Sequence, residues 1–260
     1  MNPAFAYVYD ECLTDRRFER ELALIETALG ERGIAGRVGR LALFRNAKEM
    51  MADLSQSGVK NLIFVGNDQT LLKHIWCVPE GDLTLGYLPV CPPSDLATLL
   101  RIPVGLAAVE VLAARFVATV DVGLADEVQF LTEVVIQDAA GAVLEIDDNY
   151  HLTIPKHGAL AVRNLGGRVA PGAERPNPHD GFLEAVIEAK QAKRSLLSWG
   201  QKSEIHQTRI PFLKAWLKSE QPLSMFIDGQ SVQKKQISFS LAPRSLRVIL
   251  GRNIEATVSI

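Results

Sequence analysis

Leu62, Ile63, Phe64 and Val65 stand in one unbroken apolar run, closed by Gly66-Asn67-Asp68. No other stretch narrows the choice of fold as much. A strand with one wet face alternates apolar and polar residues. Four consecutive apolar residues instead require protein on both faces, the condition met in a parallel sheet layered by helices. Gly66-Asn67-Asp68 suits a tight turn, and Thr70-Leu71-Leu72 opens a helical pattern that runs to Trp76. Such a strand-turn-helix aims backbone N–H groups at one spot where a phosphate can bind. Many α/β proteins carry the same turn without a ligand, so the motif alone leaves both readings open.

The surrounding chain supports a parallel sheet. Phe5 to Tyr9 reads as an opening strand, and Asp15 to Arg32 as a helix with Phe18, Leu22, Leu24, Ile25 and Leu29 on one stripe. Arg40 to Phe44 is expected as a strand, Ala47 to Ser57 as a helix, and Leu83 to Leu88 as the strand after the Thr70 helix. Alternation of this kind places helices on both faces of an open sheet, with ligands beyond the strand C-terminal ends. Asp95 to Leu100, with Ser94 as its cap, and Gly105 to Ala114 are further helices.

From about Phe116 the texture changes. Short strand-like runs recur at Phe116 to Val122, Glu127 to Ile136, Val143 to Ile146, Tyr150 to Ile154 and Leu160 to Arg163, separated by turn residues. Asn164 to His179 reads as a long loop, Gly181 to Glu188 as a strand, and Ala189 to Gly200 as a helix. Ser203 to Arg209, Leu223 to Ile227, Gln236 to Leu241 and Leu246 to Leu250 complete the strands, with Asp228-Gly229 as a hairpin turn. The expected fold is α/β plus all-β: a nucleotide-binding-type parallel domain over residues 1–117, then an antiparallel β-sandwich over 118–260.

A formal net charge of -2 without long single-sign runs argues against a nucleic-acid surface. Cys12, Cys77 and Cys91 are far apart and odd in number, which suggests a reducing cytosol rather than a disulfide framework. Neither a signal peptide nor a transmembrane segment is expected. The chain is therefore read as cytoplasmic, with at most peripheral membrane contact.

Val65 to Leu71 and Leu85 to Pro103 resemble the two nucleotide-site segments of the diacylglycerol kinase catalytic-domain family, G-G-D-G-T-L and P-x-G-T-x-N-D-F-A-R-x-L-x-I-P. Gly66, Asp68, Thr70, Leu71, Pro89, Asp95, Ala97, Ile102 and Pro103 stand at the family spacing. Further on, His179-Asp180-Gly181-Phe182-Leu183 resembles the family's D-G-L segment, and Ile227-Asp228-Gly229-Gln230 its I-D-G-E hairpin. The resemblance implies ATP held near Gly66, Asn67, Asp68, Thr70, Ser94 and Asp95, and magnesium at Asp180. It also implies a catalytic role for Asp228 and for Gln230, which stands in place of the family Glu, with a lipid or small-molecule ligand in an interdomain cleft.

The departures bear on chemistry. Gln230 stands where the family has a glutamate base, and an amide cannot take up the proton of an alcohol. Asn67 and Gln69 replace glycines; Asn67 tolerates a left-handed backbone, whereas Gln69 brings a long side chain toward the phosphate. Cys91-Pro92-Pro93-Ser94 replaces Gly-Thr-Gly-Asn, deleting two N–H donors and, with trans prolyl bonds, stiffening an extended loop. Tyr9-Asp10-Glu11 places two acids where the family has a phosphate-contacting N-P-x-S-G segment.

Each candidate has a structural alternative. Asp68 and Asp180 suit turns, and the histidines show no metal spacing, although His179 adjoins Asp180. Lys190, Lys193, Arg194 and Lys202 read as a solvated helix face or, less simply, as a contact for anionic lipid. Two functions follow: a ligand- or partner-binding pseudokinase with weak or lost phosphotransferase activity, or an active kinase with a divergent site. An NAD-kinase-like protein shares the G-G-D-G pattern, but the Asp228-Gly229-Gln230 hairpin suits the lipid branch better.

Overall fold

The doubly buried run at Leu62–Val65 lies inside a six-stranded sheet, as its apolar character requires. The computed structural model describes residues 4–41, 46–56, 58–79, 81–166, 177–192, 203–242 and 245–251. In chain order the first elements are β1 (Phe5–Tyr9), α1 (Glu19–Glu31), β2 (Arg37–Arg40), α2 (Ala47–Gln56), β3 (Asn61–Gly66), α3 (Asp68–His74), β4 (Thr84–Pro89), α4 (Asp95–Leu99), α5 (Ala108–Ala114) and β5 (Phe116–Val120). There follow β6 (Gly123–Ala125), β7 (Val128–Phe130), β8 (Glu133–Ile136), β9 (Val143–Ile146), β10 (Tyr150–Thr153), β11 (Gly158–Arg163), β12 (Leu183–Ala192), β13 (Ser203–Phe212), β14 (Lys214–Ile227), β15 (Gln230–Leu241) and β16 (Leu246–Leu250).

The first sheet has the order β2-β1-β3-β4-β16-β5, parallel throughout except for the β16–β5 pair. Every residue of β1, β3 and β4 is buried, which is why these strands lack alternation. Leu22, Ile25 and Leu29 form the buried stripe of α1. The backbone of Arg115 turns left-handed to end α5, and its guanidinium reaches Asn61 (2.7 Å) and Thr84 (3.3 Å) at the start of β3 and β4.

Residues Asp121–Arg244 form the second compact unit, built on an antiparallel sheet ordered β13-β12-β11-β8-β14-β15-β6-β7, with β9 and β10 joined through β14. Its core gathers Phe130, Val134, Ile136, Leu144, Leu160, Val162, Phe212, Leu217, Met225 and Phe239. Asp228 and Gly229, both at positive φ (46° and 82°), make the two-residue turn between β14 and β15, with Ile227 opposite Gln230. That backbone matches the strand twist and admits few residues besides Asn, Asp and Gly.

The fold class agrees with the sequence reading; several boundaries do not. Division at residue 117 would place Leu246–Leu250 in the second domain, yet β16 inserts between β4 and β5, so the first unit comprises Met1–Val120 with Ser245–Ile260. An apolar strand of five residues carries no mark of which sheet it joins. The second strand ends at Arg40 instead of beginning there, and residues 42–45 of the expected strand lie outside the described residues. Ala189–Ala192 continue β12 rather than opening a helix, because each residue pairs with β13. The remainder of that expected helix, with Lys193 and Arg194, lies outside the described residues, as do Lys202 and residues 167–176 of the expected long loop. The Leu223 strand begins at Lys214, where Ala215 and Leu217 are buried between exposed Lys214, Trp216 and Lys218.

Candidate functional site

Three parallel strands deliver their C-terminal ends to one place: β1 ends at Tyr9, β3 at Gly66 and β4 at Pro89, with β3 in the middle. Gly66 has φ 152° and no room for a side chain, since a Cβ there would fall 2.2 Å from the Cβ of Asp10. Asp10 is therefore seated against the turn. Its N–H donates to the Val65 carbonyl (2.9 Å), and its carboxylate accepts the N–H of Cys12 (2.8 Å) and of Asn67 (3.4 Å). Only 7% of Asp10 is exposed.

Asn67 is not left-handed, as its residue type allowed, but extended (φ -120°). Its side chain caps α3 by accepting the Thr70 N–H at 2.9 Å. The shape of the turn is set by Gly66, which leaves Asn67 free to act as a cap. The Asp68 N–H donates to the Pro93 carbonyl (3.2 Å). Asp68 itself is buried, and neither of its carboxylate oxygens bonds its own turn. One accepts the Tyr87 hydroxyl (2.8 Å) and the other the Leu96 N–H (2.9 Å). Burial raises the Asp68 carboxyl above the usual range, opposed by those hydrogen bonds and by one from the Asp95 main chain. Asp68 thus clamps α3 to β4 and to the start of α4. Gln69 is exposed and Thr70 half-buried.

The second loop is tied to the first. The N–H groups of Val90 and Cys91 both donate to the Gly66 carbonyl (2.9 and 3.1 Å). The Pro92–Pro93 bond is cis, not trans. Ser94 occupies the cap position of α4, but its side chain makes no capping bond there, in contrast to the expected role. Asp95, the first residue of α4, is exposed.

Cys12 and Cys91 form a disulfide with Cα atoms 6.5 Å apart, leaving Cys77 as a free thiol. This overturns the reading of three unpaired cysteines. A separation of 79 residues carries no sign of pairing; the strand order brings the two loops together. His74 is half-buried at the end of α3; burial and the adjacent Lys73 lower its pKa, and the charges of Asp10 and Glu11 oppose that shift.

The second group of candidates lies in the other unit. Asp228 accepts the N–H of Leu131 (2.7 Å) and Thr132 (2.8 Å), the Thr132 hydroxyl (2.5 Å) and, at longer range, the Glu133 N–H (3.3 Å). Burial raises its carboxyl and these donors oppose the rise. Asp228 therefore anchors the hairpin to the strand entering β8. Gln230 follows on the exposed side of the hairpin. Glu133, missed in the sequence, pairs with Arg163 (3.1 Å) across β8 and β11. Burial raises the Glu133 carboxyl, Arg163 opposes this, and Asp228 and Glu188 add to it. A charged residue within a short apolar strand was the available signal.

Asp180 is exposed, and one of its oxygens accepts the Phe182 N–H (3.0 Å) in a local turn. The Gly181 N–H goes to Asp121 (3.1 Å). Among the described residues no three His, Cys, Asp or Glu side chains converge on a point that could hold a metal. Among the described residues no helix is long and apolar enough to cross a membrane.

No family model and no curated protein sequence matches the chain. Solved structures do. A crystal structure of a diacylglycerol kinase from Bacillus anthracis str. Sterne superposes with a TM-score of 0.73 at 14% identity, covering 96% of this chain and 98% of that one. Two further Bacillus anthracis str. Sterne structures, each provisionally described as a diacylglycerol kinase, give TM-scores of 0.74 and 0.73 at 15% identity. They cover 96% and 95% of this chain and 98% and 97% of theirs. The chain has the fold of these proteins from its first strand to its last.

Proposed function

We propose that this chain is a ligand- or partner-binding relative of the diacylglycerol kinases, in which ATP:lipid phosphotransferase activity is very weak or lost. The observation that carries this reading is the occupancy of the Gly66 turn. The N–H groups of Asn67, Asp68 and Thr70 are all engaged within the protein, and the partner of Asn67 is a buried carboxylate. Asp10 holds the position and charge of an anion. An incoming triphosphate would meet that charge and would have to displace internal hydrogen bonds to gain its own. Pro92 and Pro93 remove two further donors.

The ATP and magnesium implied by the resemblance are then not gripped at this turn. Binding weaker than about 1 mM, equivalent to about 4 kcal/mol, is expected. Gln230 supplies no base for the acceptor hydroxyl, which removes a further ~10²–10⁴-fold in rate. What the fold retains is a scaffold for a lipid or small-molecule ligand.

Two measurements test this. Calorimetry with ATP and magnesium should show no saturable binding below ~1 mM for the wild type. Binding should appear when Asp10→Gly, Gln69→Gly, Cys91→Gly, Pro92→Thr, Pro93→Gly and Ser94→Asn are combined, and not with Gln230→Glu alone. Labelled ATP and diacylglycerol vesicles should give no phosphatidic acid above background. Micromolar ATP binding by the wild type together with phosphatidic acid formation would establish the chain as an active kinase with a divergent site.

A further inference from the structure

We propose that the Cys12–Cys91 bridge is a thiol–disulfide exchange site, and that its state decides whether the Gly66 turn admits an anionic ligand. The proposal rests on the reading of that turn as closed to nucleotide, and it names what holds it closed. β1 and β4 are not neighbours; β3 lies between them. Strands two apart are separated by about 9.6 Å. Cys12 lies three residues beyond β1 and Cys91 two beyond β4, yet their Cα atoms are 6.5 Å apart. Both loops therefore lean inward, and the bridge straps across the end of β3 at Gly66.

The strap acts on Asp10. Cys12 is the residue whose N–H grips one carboxylate oxygen of Asp10, while the other oxygen rests on Asn67 through the longest of the turn's hydrogen bonds, 3.4 Å. On the other side, the Cys91 N–H holds the Gly66 carbonyl and the Pro93 carbonyl holds the Asp68 N–H. The covalent link thus joins the segment bearing the internal anion to the segment that fixes the turn. Cutting it leaves the Asp10 main chain held by Val65 (2.9 Å) but its carboxylate tethered to Asn67 by that long bond alone, so the side chain can swing off the turn as Cys12 moves.

The two sulfurs differ in access. Cys91 is 2% exposed, whereas Cys12 is only partly buried. An incoming thiolate of a dithiol reductant attacks the Cys12 sulfur, forming a mixed disulfide, and Cys91 leaves as a thiolate that takes up a proton. The second thiol of the reductant then attacks the mixed disulfide and releases Cys12. Two electrons pass to the protein sulfurs, and the reductant closes to its own disulfide. The reverse exchange with an oxidised dithiol restores the strap.

The test uses the whole chain in oxidised and dithiothreitol-reduced forms, with inorganic pyrophosphate and ATP as probes. Mass spectrometry after thiol alkylation should show Cys12 and Cys91 labelled only in the reduced, folded protein. Amide hydrogen exchange at Cys12 and Asn67 should speed up on reduction, and pyrophosphate and ATP affinity should rise at least ~10-fold. The Cys12→Ala, Cys91→Ala double variant should match the reduced form under both conditions. A bond that resists dithiothreitol in the folded protein overturns the proposal. So does equal affinity in the two states: if both bind weakly the latch fails while the functional reading stands, and if both bind tightly the functional reading fails too.

Discussion

Replacing Asp228 with alanine separates an anchoring role from a catalytic one. In the folded protein its carboxylate receives two buried main-chain N–H groups, from Leu131 and Thr132, and the Thr132 hydroxyl. Leaving buried donors without an acceptor costs about 1–3 kcal/mol each. Asp228 also adopts φ 46°, a left-handed conformation that costs an alanine about 1–2 kcal/mol. Against this stands the relief of removing a desolvated charge, since burial raises the Asp228 carboxyl. The expected net loss for Asp228→Ala is about 3 kcal/mol. Asp228→Asn keeps the left-handed backbone and one acceptor oxygen and should lose about 1–2 kcal/mol. Gln230→Glu, on the exposed side of the hairpin, should stay within ~0.5 kcal/mol. Urea unfolding followed by tryptophan fluorescence, with Trp216 on β14 at the end away from the Asp228 turn, reads all three. Amide exchange at Leu131 and Thr132 should rise in the alanine variant. A loss below ~1 kcal/mol for Asp228→Ala would refute the anchoring argument, because the donors must then find other partners.

Three further outcomes follow from the same geometry. Gly66→Ala should destabilise by more than ~3 kcal/mol through the Asp10 contact and the positive φ, and Asp10→Gly in the same chain should recover part of the loss, a coupling that a double-mutant cycle in urea measures. Tyr87→Phe leaves one oxygen of buried Asp68 unpaired and should lose about 1.5–3 kcal/mol in the same assay. Arg163→Met should cost about 3–5 kcal/mol near pH 8 and markedly less near pH 5. The Glu133 carboxyl is raised by burial, so its contribution is full below its unfolded value of about 4.3 and is lost as pH rises through the higher folded value. Removing Arg163 raises that folded value further and enlarges the loss at high pH; equal costs at both pH values would rule this out.

Local chemistry made much of the fold legible. The unbroken Leu62–Val65 run demanded burial on both faces and received it in β3. The alternation of apolar stripes and turns after Phe116 marked an antiparallel unit, and Asp228-Gly229 marked its hairpin. These features depend on neighbours within a few residues, where periodicity and turn preferences act. Even the misplaced start of β14 had its signal in Lys214-Ala215-Trp216-Leu217-Lys218, whose alternation matches the observed burial.

The candidate site was legible as a list of residues but not as a set of partners. Gly66, Asn67, Asp68 and Thr70 could be named through the resemblance to the kinase segments, the turn pattern alone leaving a ligand site open. That Asp68 would be spent on Tyr87 and Leu96, residues 19 and 28 positions away, could not. Nor could the seating of Asp10 on the turn, the return of β16 to the first sheet, or the pairing of Cys12 with Cys91. The sequence by itself marked most of the strands, turns and helices, because those choices are settled by side-chain period and backbone preference over short range; Ala189–Ala192 became strand through pairing with β13. Only the tertiary structure decided which groups fill the turn and bond its N–H donors. Whether an N–H or a carboxylate is available depends on which strand end lies beside it, and strand order is a long-range outcome of packing both faces of the sheet.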